Sequence, residues 1–517
     1  MNIIRARIFL TFWIITIFFI EIFIIILQLG GGISYSQTRT KDRGIILDRN
    51  GEEIVFNVKR KSLAINPKGI ESKERKKIIS ILSNNLKLSS DELYKKIDLP
   101  YEFVWIKRML SDEDVKRIEK YVDNKKIILI DEPYRTYPIG IGISNLIGFV
   151  GVDNQGLSGL EAYFDSYLRN GYSIYLTIDK NLQELLTMYL REYMKEYNAD
   201  NAFGGIMDLN TGEIIALTTL PEIDLSRNLD EIIEQNNRFR NLLNTVLEPG
   251  SLFKVVTTAI ALEEKLVDVN FSVYCKGEEI IDGYKVRCTE HHGLVNIEDA
   301  LVRSCNIYFY YLAKKIPASI WEKYFKLLGL DSDIPLDVKI FSGDTILPDV
   351  KSSIVMHGTL GFGHGIGMTP LKMLWTLSFV GNDGFLVKPK LIKKIENNGK
   401  TIYTSKSEIY RQVFSKDTSL QTLNYMFQVV KRGTANILAD LNYKIAGKTG
   451  TAQVSGKFGY TSYYNHFFLG YLFLDDKKYC ILVMLDKPKK GRFARETVVP
   501  IFGEIVNKLS IYGRLIN

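Results

Sequence analysis

From Ile8 to Leu29 the chain is almost wholly apolar, long enough to cross a bilayer as a helix rising about 1.5 Å per residue. Arg5, Arg7 and the amino terminus precede this run. A positive flank holds residues 1–7 in the cytoplasm and places everything after Gly30 on the far side. A cleaved signal peptide would show a shorter apolar core and a small-x-small cleavage site before Gly30-Gly31-Gly32, so the run reads as an uncleaved anchor over 8–29. The rest of the chain must then fold as water-facing domains tethered at one end. Glu21 interrupts the run nearer its outer end. Either it meets a partner helix, or it is tolerated by protonation or by closeness to the interface.

The 517 residues leave room for roughly two to four domains. At 46% hydrophobic and 24% charged, without repeats or low-complexity tracts, the composition is that of an ordered globular protein. The net charge of +8 suits an anionic surface such as a membrane or wall polymer. Its basic residues are scattered, with no basic stripe interleaved with aromatics, so no nucleic acid is expected. Four cysteines (Cys275, Cys288, Cys305, Cys480) are too few for a disulfide scaffold. Cys275 and Cys288 flank a short polar segment, and whether they pair outside the cytoplasm is open. Cys-x-x-Cys spacing is absent and His291-His292 has no further ligands beside Cys288, so neither metal nor cofactor is expected.

Past the anchor, Arg43-Gly44-Ile45-Ile46-Leu47-Asp48-Arg49-Asn50-Gly51 reads as a strand running into an Asn-Gly turn and a second strand. Residues 72–126 are lysine-rich and helical in period, with Leu82, Leu86, Leu88 and Leu93 as core. Near Gly171 the texture changes. Tyr175 to Asp179 reads as a strand, Leu182 to Tyr197 as a helix, and Phe203 to Asp208 with Glu213 to Thr218 as a hairpin. Helices follow Ser251 and run from Ile297 to Lys314. Strands return at Lys444 to Ala452, Phe467 to Leu474 and Lys478 to Asp486, before a last helix from Pro500 to Leu509. Strands at both ends of a helical middle predict one antiparallel sheet covered by helices, an α/β sandwich.

Within that frame lies Glu248-Pro249-Gly250-Ser251-Leu252-Phe253-Lys254. If Ser251 opens a helix, Lys254 projects from the same face, one turn on. A desolvated lysine there can take the serine proton and turn a weak nucleophile into a strong one. Alone, Ser-x-x-Lys is more often a helix cap followed by a solvated lysine. Two later triplets reverse that balance: Ser304-Cys305-Asn306 and Lys448-Thr449-Gly450, continued by Thr451. Ser304 can relay a proton from Lys254 to a leaving amine, and Asn306 can orient Lys254 and hold a substrate amide. Lys448 and Thr449 suit a substrate carboxylate, and the bare Gly450 lets a peptide pair along the strand. Backbone N–H groups of Ser251 and Thr451 are the candidate oxyanion hole.

This three-part set resembles that of the class B penicillin-binding proteins, the membrane-anchored transpeptidases of peptidoglycan synthesis. The likeness covers nearly the whole chain. Arg43 to Gly51 resembles the family's membrane-proximal motif, Gly156-Leu157-Ser158-Gly159-Leu160-Glu161 the end of its pedestal, and Leu176-Thr177-Ile178-Asp179 the entry to its transpeptidase domain. His292-Gly293, Gly361 to Pro370, Gly433-Thr434-Ala435 and Ala446 to Ala452 complete it. The Gly-Leu-Ser-Gly-Leu-Glu form, with Gly148-Phe149-Val150-Gly151 before it, is more similar to the division (septal) and sporulation branch than to the elongation branch.

The resemblance implies a serine penicillin-recognising transpeptidase domain over 171–517. Before it come an elongated α+β pedestal of dimerisation type over 30–170 and the anchor. It implies that Ser251 attacks the D-Ala-D-Ala carbonyl of a donor stem peptide, that a neighbouring stem-peptide amine resolves the ester, and that β-lactams acylate the same serine. It also implies a membrane-bound partner, a SEDS-type glycosyltransferase among other division proteins. Against the family's pattern, the short stretch between Glu161 and Leu176 reads as a trimmed pedestal hairpin, Asp475-Asp476 as a shortened loop, and no C-terminal wall-binding repeats are expected. A β-lactamase would be shorter and secreted, and a β-lactam sensor would carry several spans and an output domain. A catalytically silent scaffold would not need the intact set.

Overall fold

The computed structural model describes residues 42–137, 140–268, 271–340, 345–456 and 459–515. The expected anchor over 8–29, with Glu21, lies outside them. Among the described residues no helix is long and apolar enough to cross a membrane.

A five-stranded antiparallel sheet carries the second half of the chain, in the order Lys444–Gly456, Gly459–Leu474, Lys477–Asp486, Asn201–Asp208, Ile214–Leu220. The central strand reads Cys480-Ile481-Leu482-Val483-Met484-Leu485 without a polar break because both of its faces are buried. Gly204 and Gly205 show how closely the covering helices approach. A Cβ on Gly204 would meet Leu186 and Leu190 of the helix Lys180–Glu196 at 2.7 Å, and one on Gly205 would meet Leu374 of Pro370–Thr376 at 2.8 Å. Adjacent strand residues face opposite ways, so helices cover both sides of the sheet. The sandwich expected from the sequence is therefore present.

Several elements depart from the sequence reading. The helix expected to start at Pro500 runs Ala494–Leu515. Pro500 cannot donate to the carbonyl of Glu496, and the Tyr197 hydroxyl takes that acceptor at 2.7 Å, so the helix continues through the proline. The helix expected over Ile297 to Lys314 is two, Ile297–Val302 and Asn306–Lys315, broken at Ser304 with φ +59°. The lysine-rich stretch holds three helices, Ser72–Leu86, Ser90–Ile97 and Asp112–Ile118, but also a strand, Val104–Lys107. Leu82, Leu86 and Leu93 are buried there as expected, while Leu88 is only partly covered.

A second, seven-stranded sheet joins distant segments. Ile46–Leu47 pairs with Glu53–Ile65 across the Asn50-Gly51 turn, and parallel to Ser173–Leu176. Ile392–Asn397 and Lys400–Thr404 extend it on one side. Val104–Lys107 and Ile127–Thr136 both pair with Glu53–Ile65 on the other. Beside it, fully buried Glu161 accepts from Arg43 Nε at 2.8 Å and Arg135 Nε at 2.6 Å. Arg43 also reaches Asp165 at 2.6 Å, and Arg135 reaches the carbonyl of Gly44 at 2.7 Å. The two motifs singled out at Arg43 and Glu161 are thus halves of one buried ion cluster.

Candidate active site

Ser251 sits in a 3-10 turn, Gly250–Leu252, that runs straight into the helix Lys254–Glu263. The serine precedes the α-helix instead of opening it. Gly250 is in the left-handed region (φ +51°), which glycine adopts without strain. A Cβ there would lie 3.0 Å from Ala452 Cβ and 3.3 Å from Thr451 O, so the turn rests directly on the strand Lys444–Gly456. Gly363 closes the other side, where a Cβ would meet Gly250 O at 2.1 Å.

Lys254 is fully buried. Its Nζ donates to Ser304 O at 2.6 Å, Asn306 Oδ1 at 2.6 Å and Ser304 Oγ at 3.1 Å. Lys448, equally buried, donates to the same Ser304 Oγ at 3.0 Å and to Thr449 O at 3.0 Å. One hydroxyl therefore links two lysines from opposite ends of the domain. The left-handed Ser304 makes this possible: the helix break presents its hydroxyl and its carbonyl to Lys254 together. The two amines meet at one acceptor in a dry site, which disfavours charge on both. Burial brings Lys254 down to about 8. Burial, with the Lys254 charge added, drives Lys448 well below the ordinary lysine range.

Asn306 is held at its other end, Nδ2 donating to Arg287 O at 2.7 Å. Thr449 shares a 2.7 Å hydrogen bond with Thr434. Gly450 is buried on the edge strand of its sheet, and a Cβ there would lie 3.1 Å from Leu252 and 3.3 Å from Pro249 O. Its missing side chain makes room for the serine turn. Thr451 Oγ1 accepts from Ala494 N at 3.4 Å, which ties its side chain to the start of the C-terminal helix.

Sequence reasoning gave no role to two nearby groups. Glu248, in the serine turn, accepts from Gly365 N at 2.9 Å and Tyr460 Oη at 3.0 Å, and burial raises its carboxyl above the usual range. His364 is pushed down to about 4 by burial and the Lys254 charge, so it is neutral at pH 7. The pattern Glu-Pro-Gly-Ser already held Glu248, but its partners lie over a hundred positions away in sequence and no local spacing announces them. The fold also brings Cys275, Cys288, His292 and Cys305 together, their ligand atoms all within 4.8 Å of one another. The sequence reading found no such set. No disulfide joins any of the four cysteines, including Cys275 and Cys288, whose pairing the sequence left open.

A penicillin-binding protein transpeptidase domain matches residues 202–507, and a penicillin-binding protein dimerisation domain matches residues 38–185. The chain belongs to the penicillin-binding proteins, as a class B member of the division and sporulation branch. It is 29% identical to stage V sporulation protein D of Bacillus subtilis (strain 168), over 90% of this chain and 77% of that one. It is 25% identical to peptidoglycan D,D-transpeptidase FtsI of Escherichia coli (strain K12), over 91% and 83%. Among solved structures, penicillin binding protein 3 from Mycobacterium tuberculosis, complexed with aztreonam, shares the fold with a TM-score of 0.71 at 21% identity, covering 92% of this chain and 97% of that one.

Proposed function

We propose that the protein is a peptidoglycan D,D-transpeptidase of septal or sporulation wall synthesis, working through an ester on Ser251. The supporting observation is the convergence of three motifs on one atom, Ser304 Oγ, which accepts from both Lys254 and Lys448. In this reading the neutral form of Lys254 takes the Ser251 proton as Ser251 attacks the penultimate D-alanine carbonyl. Backbone N–H groups of Ser251 and Thr451 hold the oxyanion, while Lys448 and Thr449 receive the terminal carboxylate. The proton passes from Lys254 through Ser304 to the departing D-alanine amine. A second stem peptide's amine then attacks the ester and forms the cross-link. β-Lactams mimic the donor and remain attached. The test is a fluorescent penicillin: one label per chain, located on Ser251 by peptide mass mapping and absent from Ser251→Ala. Label on any other residue overturns the assignment.

The transpeptidase unit begins near residue 171 in this reading, after a pedestal over 30–170. Residues 8–29 anchor it with the catalytic region outside the cytoplasm. A SEDS-type glycosyltransferase is the proposed membrane partner, met by the anchor face that bears Glu21. Glu21→Leu should reduce its co-purification with that partner. Unchanged recovery of the pair would remove Glu21 from the contact.

A further inference from the structure

Beside the catalytic lysines lies a cluster that the reaction does not use. Cys275 ends the strand Val273–Cys275, where it pairs with Gly293 of Gly293–Val295. Cys288 follows directly on the hairpin strand Tyr284–Arg287. His292 precedes Gly293, and Cys305 caps the helix Asn306–Lys315. Four ligand atoms from four separate points of the chain thus meet within 4.8 Å. Three of the residues are buried and Cys288 is half-buried.

We propose that Cys275, Cys288, His292 and Cys305 form a structural zinc site that clamps the Ser304-Cys305-Asn306 segment. The distances carry the assignment. Zinc bonds of about 2.3 Å to sulfur and about 2.0–2.1 Å to nitrogen give tetrahedral edges of about 3.8 Å between sulfurs and about 3.6 Å between sulfur and nitrogen. Cys288 Sγ and Cys305 Sγ stand 3.7 Å apart, and Cys275 Sγ and His292 Nδ1 stand 3.4 Å apart. A disulfide between Cys288 and Cys305 would have to close that gap to about 2.05 Å, and would leave Cys275 and His292 facing each other without a task. Three thiolates and one imidazole, gathered within 4.8 Å in a mostly buried place, suit zinc above harder cations.

The surroundings are those of a metal site. Backbone N–H groups of Asn306 and Tyr308 point at the sulfurs of Cys288 (3.2 Å) and Cys305 (3.5 Å), as outer groups that steady thiolate ligands do. His292 Nε2 is buried and lacks a hydrogen-bond partner, and the Glu290 carboxylate lies 3.9 Å from it. With Nδ1 on the metal, the remaining proton sits on Nε2, on the side of that carboxylate. Asn306 couples the two centres: its N–H meets Cys288 while its side-chain oxygen holds Lys254. A metal bound to Cys305 would fix the unfavourable left-handed backbone of Ser304 from the adjoining residue.

The full chain, purified in detergent with reductant and without chelator, should hold one zinc per polypeptide by elemental analysis. Cobalt exchanged into it should show the intense visible bands of a tetrahedral thiolate complex. Cys275→Ser and Cys288→Ser should lose most of the metal, whereas Cys480→Ser, on the central strand, should keep it. Stripping wild type with a strong chelator should lower its melting temperature by several degrees, and zinc should restore it. That measurement stands even if the variants do not fold. Metal-free wild type, a Cys288–Cys305 disulfide by mass spectrometry, or zinc retained in full by Cys275→Ser would each overturn the proposal.

Discussion

Lys254→Met is expected to slow acylation of Ser251 by a β-lactam about 10²–10⁴-fold, the range for losing one positioned acid–base group. Methionine keeps the length and apolar stem of the buried side chain but has no proton to accept or give. The variant also leaves Ser304 O and Asn306 Oδ1 without this donor, at about 1–3 kcal/mol each, while Lys448 still donates to Ser304 Oγ. A pH profile separates chemistry from disrupted packing. Because burial lowers Lys254 to about 8, the reactive neutral amine grows as pH rises through that value. The wild-type acylation rate should climb from pH 7 and level off above about pH 8, while the residual rate of Lys254→Met should stay flat over the same window. A variant as fast as wild type, or one that keeps the wild-type profile, would take Lys254 out of the proton path.

Glu161→Ala carries the largest expected loss of stability. Its carboxylate is fully buried between the guanidinium groups of Arg43 and Arg135, both themselves buried. Deleting one partner of such a cluster leaves charge without solvent or counter-ion, at a cost of about 3–5 kcal/mol. Here two arginines lose a partner, although Asp165 still meets Arg43. Since a folded domain is stable by only about 5–15 kcal/mol, the first thermal transition should fall steeply and the segment around Ile46 should become open to proteolysis. Glu161→Gln, which keeps the shape and one acceptor oxygen, should lose less. A Glu161→Ala melting curve superimposable on wild type would show that the cluster contributes nothing.

The candidate catalytic triplets were legible because each is a short local pattern tied to a local setting: a turn into a helix, a helix break, an edge strand. Ser251, Lys254, Ser304, Asn306, Lys448 and Thr449 follow from residue type and order, and the fold joins their side chains or packs their backbones together. What periodicity could not give was the conformation at single residues. Ile297 to Lys314 carries an unbroken helical period, yet the chain turns left-handed at Ser304, where two lysines and the Cys305 cap hold it. Pro500 reads as a helix start because proline lacks a donor, and only Tyr197, three hundred residues away in sequence, relieves that defect. The pairing of Ile392–Asn397 with Ser173–Leu176 and the meeting of Cys275, His292 and Cys305 depend likewise on contacts distant in sequence. Gly450 has a second reason to be glycine that its motif does not announce, since Leu252 and Pro249 of the serine turn pack where a Cβ would stand.

The lifetime of the Ser251 acyl group is the most direct test of the central claim. Protein labelled with fluorescent penicillin would be chased with unlabelled drug and the remaining label followed with time. Glu248, the carboxyl three residues before the nucleophile, is committed to Gly365 and Tyr460. A transpeptidase that awaits an amine leaves water unactivated, so the label should persist for many minutes. Loss of the label within seconds, with hydrolysed penicillin accumulating over many turnovers, would mean that a base activates water at the ester and that the protein is a β-lactam hydrolase.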